Sequence, residues 1–394
     1  MIRGPVAEID LSAIAQNLQT IREIAGDTPV IAVVKADAYG HGAIEVSRRL
    51  VKEGISYLAV AYTGEAVELR NAGIDIPIIV LFDRGNVRDV FDFHLTPVIY
   101  TRDTALSLSD EARKRGIVVR VHVKVDTGMG RLGLSGDHIM EDLTAISEMP
   151  GLELTGLLSH FSEADLSDRS YAVSQLERFN AIREAISGKI GRKLFSHVAN
   201  SAAVLTFEES YLDAVRPGLM LYGYSPFSNP PLPPFRKGGT GGLLEGDGYV
   251  GNVSAEHSGL IPAMTVKTRI LSIRSVAAGT PVSYGRTFVT KRPSRIGVIP
   301  VGYADGYSRL FSNNAEVLVR GKRIPVAGRV CMDLTMADLT DVREAEENDE
   351  VVLLGRQGDE VVTADELAYR AKTISYEILI SLGSKSKRVY LEKD

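Results

Sequence analysis

The sequence predicts an α/β fold, an N-terminal (β/α)8 TIM-like barrel followed by a C-terminal mostly-β domain. Three observations carry this. Eight short apolar runs alternate with segments of helical period through residues 1–225 of the 394; a Pro/Gly-rich stretch interrupts the pattern at 226–262; and from 263 to 394 the periodicity becomes that of short strands between turn residues.

After Asp10, residues Leu11, Ile14, Leu18, Ile21 and Ala25 fall on one helical face, and Gly26 with Pro29 ends the run. Residues 30–34 are unbroken apolar and largely β-branched, as in a strand covered on both faces of a parallel sheet. Further strands are expected at 57–61, 78–82, 96–100, 118–125, 154–159, 194–198 and 212–216, with helices between them at 43–51, 65–72, 104–114, 139–147 and 174–186. An open doubly wound sheet is the competitor. It often carries GxGxxG after its first strand, where this chain has Lys35-Ala36-Asp37-Ala38-Tyr39-Gly40. The stretch 226–262 reads as a linker or surface insertion. Beyond it, strands are expected at 265–273, 295–301, 316–319, 323–326 and 350–354, and one helix at 364–372.

Composition narrows the function. With 44% hydrophobic and 24% charged residues the chain can build compact cores, and a net charge of −5 without long runs of one sign argues against a nucleic-acid partner. Cys331 is the single cysteine, so no internal disulfide and no cysteine-based zinc site can form, and no metal is expected. Residues 1–10 lack the apolar stretch of a signal peptide, and no segment approaches a membrane span. A cytoplasmic protein without a membrane partner is the expectation.

In a barrel, residues that do chemistry lie just past the C-terminal ends of the strands. Those positions hold Lys35, then Lys124 and Arg131, then His160, then His197, Asn200 and Ser201, and finally Arg216-Pro217-Gly218. Lys35 follows five apolar residues, so desolvation should depress its pKa and leave a usable amine nucleophile; pairing with Asp37 is the plainer alternative. Tyr39 and Gly40-His41-Gly42 suggest a tight turn facing the same mouth. Ser201, at the start of a helical run, and Gly218-Leu219 sit where barrels commonly hold a phosphate, although a helix cap and a turn residue would look the same. An amine at one rim and a phosphate cradle at the other bracket a phosphorylated aldehyde, making pyridoxal 5'-phosphate a candidate cofactor.

Five motifs, in order, resemble those of bacterial alanine racemases, the fold-type III enzymes that depend on pyridoxal phosphate: VVKADAYGHG at 33–42, KVDTGMGRLG at 124–133, VRPG at 215–218, VSYGRT at 282–287 and GRVCMD at 328–333. The likeness runs from about residue 6 to 391, interrupted by the 226–262 insert, which is longer than the family's usual connection. It implies an enzyme that interconverts L- and D-alanine and supplies D-alanine for peptidoglycan.

The resemblance also implies roles. Lys35 would hold the cofactor and act as base on one face of the substrate Cα, with Tyr284 acting on the other, because inversion needs a proton removed from one side and returned on the opposite side. Arg216 would face the pyridine nitrogen; a guanidinium gives up no proton readily, so the electron sink stays weak and transamination is disfavoured. Arg131 and the main chain at Met332 would bind the substrate carboxylate. His160, counted with the cofactor-binding residues, and Arg216 would link to Tyr284 and favour its phenolate. Tyr39, Ser201, Gly218, Leu219 and Tyr376 would hold the phosphate. Lys124 matches a position carbamylated in many members, where it would orient Arg131; an ordinary pair with Asp126 is the alternative. A head-to-tail homodimer would let Tyr284 of one copy reach Lys35 of the other.

Without the motifs, Tyr284 reads as a surface tyrosine, His160 as a core histidine and Arg216 as a salt-bridged strand end. A racemase of serine or of broad range is the alternative within the same chemistry. A non-catalytic pyridoxal phosphate carrier would lack the β domain, and a related decarboxylase would place an acid where Arg216 stands.

Overall fold

The computed structural model describes residues 4–82, 85–228 and 259–392. All but the two ends of the 226–262 insert lies outside the described residues. Strands β1 (Val6–Asp10), β2 (Ile31–Val33), β3 (Tyr57–Val60), β4 (Ile78–Val80), β5 (Thr96–Ile99), β6 (Val119–Lys124), β7 (Leu152–Leu158) and β8 (Phe195–His197) open the chain, and β2 to β8 form one parallel sheet in sequence order. Their residues are almost all buried, as a sheet covered by helices outside and by its own side chains inside requires.

The sheet closes into a barrel through residues 213–217. Val215 bridges Val30 in parallel, and the main chain passes from Asp213 N–H to Ser196 C=O at 3.0 Å, Arg216 N–H to Ala199 C=O at 2.8 Å, and Ile31 N–H to Val215 C=O at 2.8 Å. The eighth strand expected at 212–216 is therefore present as a short ladder. Leu212, at φ 54°, leaves the extended region, and Pro217 has no N–H to extend the pairing. The barrel helices fall where the apolar spacing places them, including Leu11–Ala25, capped by the Asp10 carboxylate on Ser12 and Ala13 N–H, and Ile139–Ser147.

The second unit holds β9 (Met264–Arg269), β10 (Ser272–Val276), β11 (Pro281–Val282), β12 (Phe288–Val289), β13 (Ser294–Ile299), β14 (Glu316–Val319), β15 (Lys322–Pro325), β16 (Thr335–Asp338), β17 (Glu350–Gln357), β18 (Glu360–Val362) and β19 (Lys387–Leu391). Its main sheet runs β15-β14-β17-β9-β1-β19. The chain's first strand thus lies in the second unit's sheet, antiparallel to β9 and parallel to β19, which ties the two ends of the sequence together. Two helices follow β18, Ala364–Ala371 and Ser375–Lys385. The second was not anticipated. Ile378, Leu379 and Leu382 give it a buried face, but the isoleucines around them read equally as a strand.

Helix Ser375–Lys385 packs on the turn after β2. Gly40, at φ 85°, lies so close that a Cβ would stand 2.6 Å from Leu379 C=O, and a Cβ on Gly383 would stand 2.3 Å from Gly40 C=O. Two glycines back to back let this helix reach the barrel mouth, and Tyr376 arrives with it.

Candidate active site

The segment after Lys35 is an unusual turn. Ala36, Asp37, Ala38 and Tyr39 all have φ between 51° and 55°, a left-handed helical turn built without glycine. Each such residue costs on the order of 1–2 kcal/mol, so the surroundings must hold the turn in place. Glu65 does so from one side, accepting Ala36 N–H at 2.6 Å, Ala61 N–H at 2.7 Å and Tyr62 N–H at 3.0 Å. From the other, Asp37 accepts Ala43 N–H at 2.7 Å and pairs with Arg388. Asp37 is thereby committed away from Lys35, and the strand-end pairing considered from the sequence is not what the side chains do.

The Lys35 ammonium lies 5.6 Å from the centroid of the Phe82 ring. Burial lowers its pKa, the charges of Arg131 and Arg216 lower it further, and Glu65 opposes them. The result is an amine more readily neutral than an ordinary lysine.

Around it, ten of the twelve residues to which the resemblance gives roles line one cavity of about 430 Å³. Lys35, Lys124, Arg131, His160 and Arg216 bring its cations and an imidazole; Tyr39, Ser201 and Tyr376 bring hydroxyls, beside Gly218 and Leu219. Ser201 accepts Gly218 N–H at 2.9 Å, and a Cβ on Gly218 would stand 2.3 Å from the Tyr39 hydroxyl. Tyr39 packs between Tyr222 and Tyr376 at ring distances of 4.9 and 5.8 Å, and burial raises the pKa of all three phenols, so they are neutral hydrogen-bond donors. Asp126 orders the loop that presents Arg131 by accepting N–H bonds from Gly128, Met129 and Arg131.

Arg216 is buried without a carboxylate. Its guanidinium donates to Ser159 C=O at 2.7 Å, to His197 C=O and to His197 Nδ1 at 2.5 Å. Burial pushes it down to about 9, which leaves it a cation at neutral pH. The salt-bridge reading of Arg216 therefore fails. His160 is half-buried beside it; desolvation first, then Arg216, Lys124, Arg131 and Lys35, hold its imidazole well below the usual range and keep it neutral. Lys124 is pushed down to about 8 by burial and by Arg131 and Arg216, against Asp126.

Tyr284 and Met332 lie elsewhere. Both are on the second unit, 70% and 55% exposed, and do not join the cavity of their own chain. Their two motifs touch each other: Ser283 Oγ donates to Arg329 C=O at 2.6 Å, and a Cβ on Gly328 would meet Val282 C=O at 2.7 Å. Ser283 and Arg286 have φ of 64° and 52°, a strained presentation of the tyrosine between them.

Sequence reasoning missed Glu65, Phe82, Tyr222, Gln175 and His122. Glu65 and Phe82 are remote in sequence from Lys35; Tyr222 donates to Val33 C=O at 3.0 Å; Gln175 holds His160 C=O and Ser162 N–H from a helix. Nothing local marks them. His122 carried a usable signal, lying two residues before Lys124 on one strand and so on the same face. No group of three His, Cys, Asp or Glu side chains suited to a metal occurs among the described residues, and no described helix is long and apolar enough to cross a membrane.

Comparison with known proteins is consistent along the whole chain. A family model described as "Alanine racemase, N-terminal domain" matches residues 9–226, and one described as "Alanine racemase, C-terminal domain" matches 263–390. The chain is 47% identical over 398 residues to an alanine racemase of Thermodesulfovibrio yellowstonii, covering 100% of this chain and 99% of that one. It is 44% identical to one of Syntrophobacter fumaroxidans, covering 95% and 94%. Among solved structures it resembles alanine racemase from Streptomyces lavendulae, with TM-score 0.88, 32% identity and coverage of 100% and 98%. The Bacillus anthracis alanine racemase with bound L-Ala-P gives TM-score 0.84, 34% identity and coverage of 100% and 96%.

Proposed function

Because the chain belongs to the alanine racemase family, we propose that Lys35 and Tyr284 are the two proton carriers of its reaction and that two copies complete each site. The enzyme interconverts L- and D-alanine, and the family's cofactor is pyridoxal phosphate. The observation that carries the assignment of roles is the single cavity that gathers a desolvated amine, a buried cation and a hydroxyl-lined cradle. Serine, broad-range and carrier alternatives are not favoured, and the C-terminal domain matched at 263–390 is the part a carrier would lack.

The residues fit the cofactor. Lys35 would supply the amine for its aldehyde; Tyr39, Ser201 and Tyr376 would supply hydroxyls, and Gly218 and Leu219 main chain, for its phosphate, in a cradle so close that a Cβ on Gly218 would run into the Tyr39 hydroxyl. When bound, pyridoxal phosphate withdraws electrons from the amino-acid Cα and makes its proton removable. Lys35, held neutral more easily by its surroundings, exchanges that proton on one face. Arg216 would offer the ring nitrogen a cation that keeps its own proton, which would limit the electron sink and disfavour transamination. Arg131 and the main chain at Met332 receive the substrate carboxylate. Lys124, whose amine gives up its proton more readily than an ordinary lysine's, is the residue we propose to be carbamylated, the resulting anion then orienting Arg131.

Tyr284 of the partner subunit supplies the second face. Its exposure, with that of Met332 and of Tyr303 at 43%, supports a head-to-tail homodimer that covers this surface. His160 and Arg216 then stand to hydrogen-bond the phenol from the receiving side. We also propose a cytoplasmic role in which the D-alanine goes to peptidoglycan.

The test is the holoenzyme in deuterated water with each enantiomer of alanine. Wild type should exchange and invert both. Tyr284→Phe should lose inversion while exchanging the α-proton of one enantiomer only; unimpaired inversion in Tyr284→Phe rejects the assignment.

A further inference from the structure

One layer beneath the cavity, His122 occupies a place the barrel is built to accommodate. It lies on the same inward face of β6 as Lys124 and is buried. The register between β6 and β7 shifts at this point, from Val121 opposite Leu154 to His122 opposite Gly156, so that Thr155 is an extra residue. At Gly156 a Cβ would stand 2.4 Å from the His122 ring. A bulge and a glycine thus make room for one imidazole.

That imidazole ends a chain of hydrogen bonds that begins at Arg216. The guanidinium, which can only donate, lies 2.5 Å from His197 Nδ1, so Nδ1 accepts. His197 Nε2 lies 3.0 Å from His122 Nδ1. With both rings neutral, His197 carries its proton on Nε2 and donates it to His122 Nδ1. Burial and the Arg216 charge push both imidazoles down, His122 to about 4, in keeping with that state.

We infer that His122 is a positioning residue for Arg216: by accepting the Nε2 proton of His197 it holds the tautomer whose Nδ1 is open to the guanidinium, and so keeps that guanidinium on the cofactor ring. This rests on the reading of Arg216 given above. Without an acceptor at His122, the Nε2–H of His197 would be buried and unpaired; moving the proton to Nδ1 would set two donors against each other at Arg216.

Labelling the full chain with 15N-histidine reads the tautomer directly, with and without pyridoxal phosphate. The chain has seven histidines, and His197→Gln assigns the signals of His197. Wild type should show a protonated Nε2 and an unprotonated Nδ1 at His197. His122→Phe should abolish that pattern and raise the pyruvate formed per racemisation of alanine about tenfold, the scale of losing one buried hydrogen bond. His122→Asn, whose Oδ1 can accept the same N–H, should restore both. A wild-type proton on Nδ1 overturns the inference even if His122→Phe does not fold, and so does His122→Asn behaving as badly as His122→Phe. Arg216→Lys separates the two readings. If it raises the pyruvate ratio while His122→Phe does not, this inference alone fails; if it leaves the ratio unchanged, the role of Arg216 fails and takes this inference with it.

Discussion

The Glu65 carboxylate accepts the main-chain N–H of Ala36, the residue next to Lys35, at 2.6 Å. With its bonds to Ala61 and Tyr62 it joins the end of β3 to the left-handed turn that aims the amine. Glu65→Gln presents an amide NH2 to a site made of three N–H donors, so at least one bond is lost, at about 2 kcal/mol for a bond to a charged acceptor. The variant should unfold at lower denaturant. Its Lys35 should also titrate lower still, because the Glu65 charge raises that pKa in the native chain. Acylation of Lys35 across a pH series, read by mass spectrometry, measures this, and an unshifted profile removes Glu65 from the electrostatics of the amine.

Gly218→Ala places a methyl 2.3 Å from the hydroxyl of a buried tyrosine, Tyr39, which has little room to yield. Overpacking of this kind costs about 1–3 kcal/mol. Weaker pyridoxal phosphate binding, by about tenfold, should accompany it in a fluorescence titration. Tyr39→Phe in the same chain should return part of the thermal stability by removing the atom that clashes. Native affinity in Gly218→Ala would mean that the glycine is not part of the cradle.

Much of this site was legible because its chemistry is local in sequence. Lys35, Arg131 and Arg216 each follow a strand that an apolar run announces, and a barrel puts such positions at one mouth. The remainder depended on contacts that no periodicity encodes. Glu65 is 29 residues from the amide it holds, and His197 is 75 from His122. The strand β1 was invisible for the same reason: Val6–Asp10 is defined by partners at 264–267 and 387–391. Tyr376 was found by likeness to a family, whereas the helix that delivers it was not found, since its isoleucines suit either structure.

Lys124 makes stability depend on pH in a definite direction. Its folded pKa, about 8, lies below the 10.5 of an ordinary lysine, so between those values the unfolded chain binds more protons than the folded one. Stability from this group therefore rises with pH across that window, and the penalty is fully present below it. Lys124→Met should flatten the rise in urea denaturation curves. In 13C-labelled bicarbonate the native chain should show a carbamate resonance, formed when the neutral amine adds CO2 and releases a proton, and Lys124→Met should not. A resonance that survives the substitution assigns the carbamate to another amine.

The second unit carries its own acid sensitivity. Glu366 receives Arg323 at 2.9 Å through both oxygens and Arg370 at 3.0 Å. Burial pushes its carboxyl up, but the hydrogen bonds and charges of Arg323 and Arg370 outweigh this and leave it below its ordinary value. Its stabilisation is thus present above the unfolded pKa and lost as pH falls through the folded one. Glu366→Gln should cost about 1 kcal/mol near neutrality, a figure reduced by partial exposure, and should make unfolding less steep on the acid side. An unchanged acid limb would assign the sensitivity to other carboxylates.

A site divided between copies makes a quantitative prediction for mixed subunits. In a head-to-tail pair, Lys35 of one chain meets Tyr284 of the other, so a heterodimer of Lys35→Ala and Tyr284→Phe chains has one site with both defects and one with neither. Random reassembly of equal amounts makes about half the dimers mixed, each with one working site of two, and recovers about a quarter of native racemisation. Each variant alone has two defective sites and should stay inactive. If the exposed Tyr284 instead served the cavity of its own chain, every chain in the mixture would carry a defect and nothing would be recovered. Denaturing the two variants together, refolding them with pyridoxal phosphate and following alanine inversion by polarimetry distinguishes a recovered quarter from none.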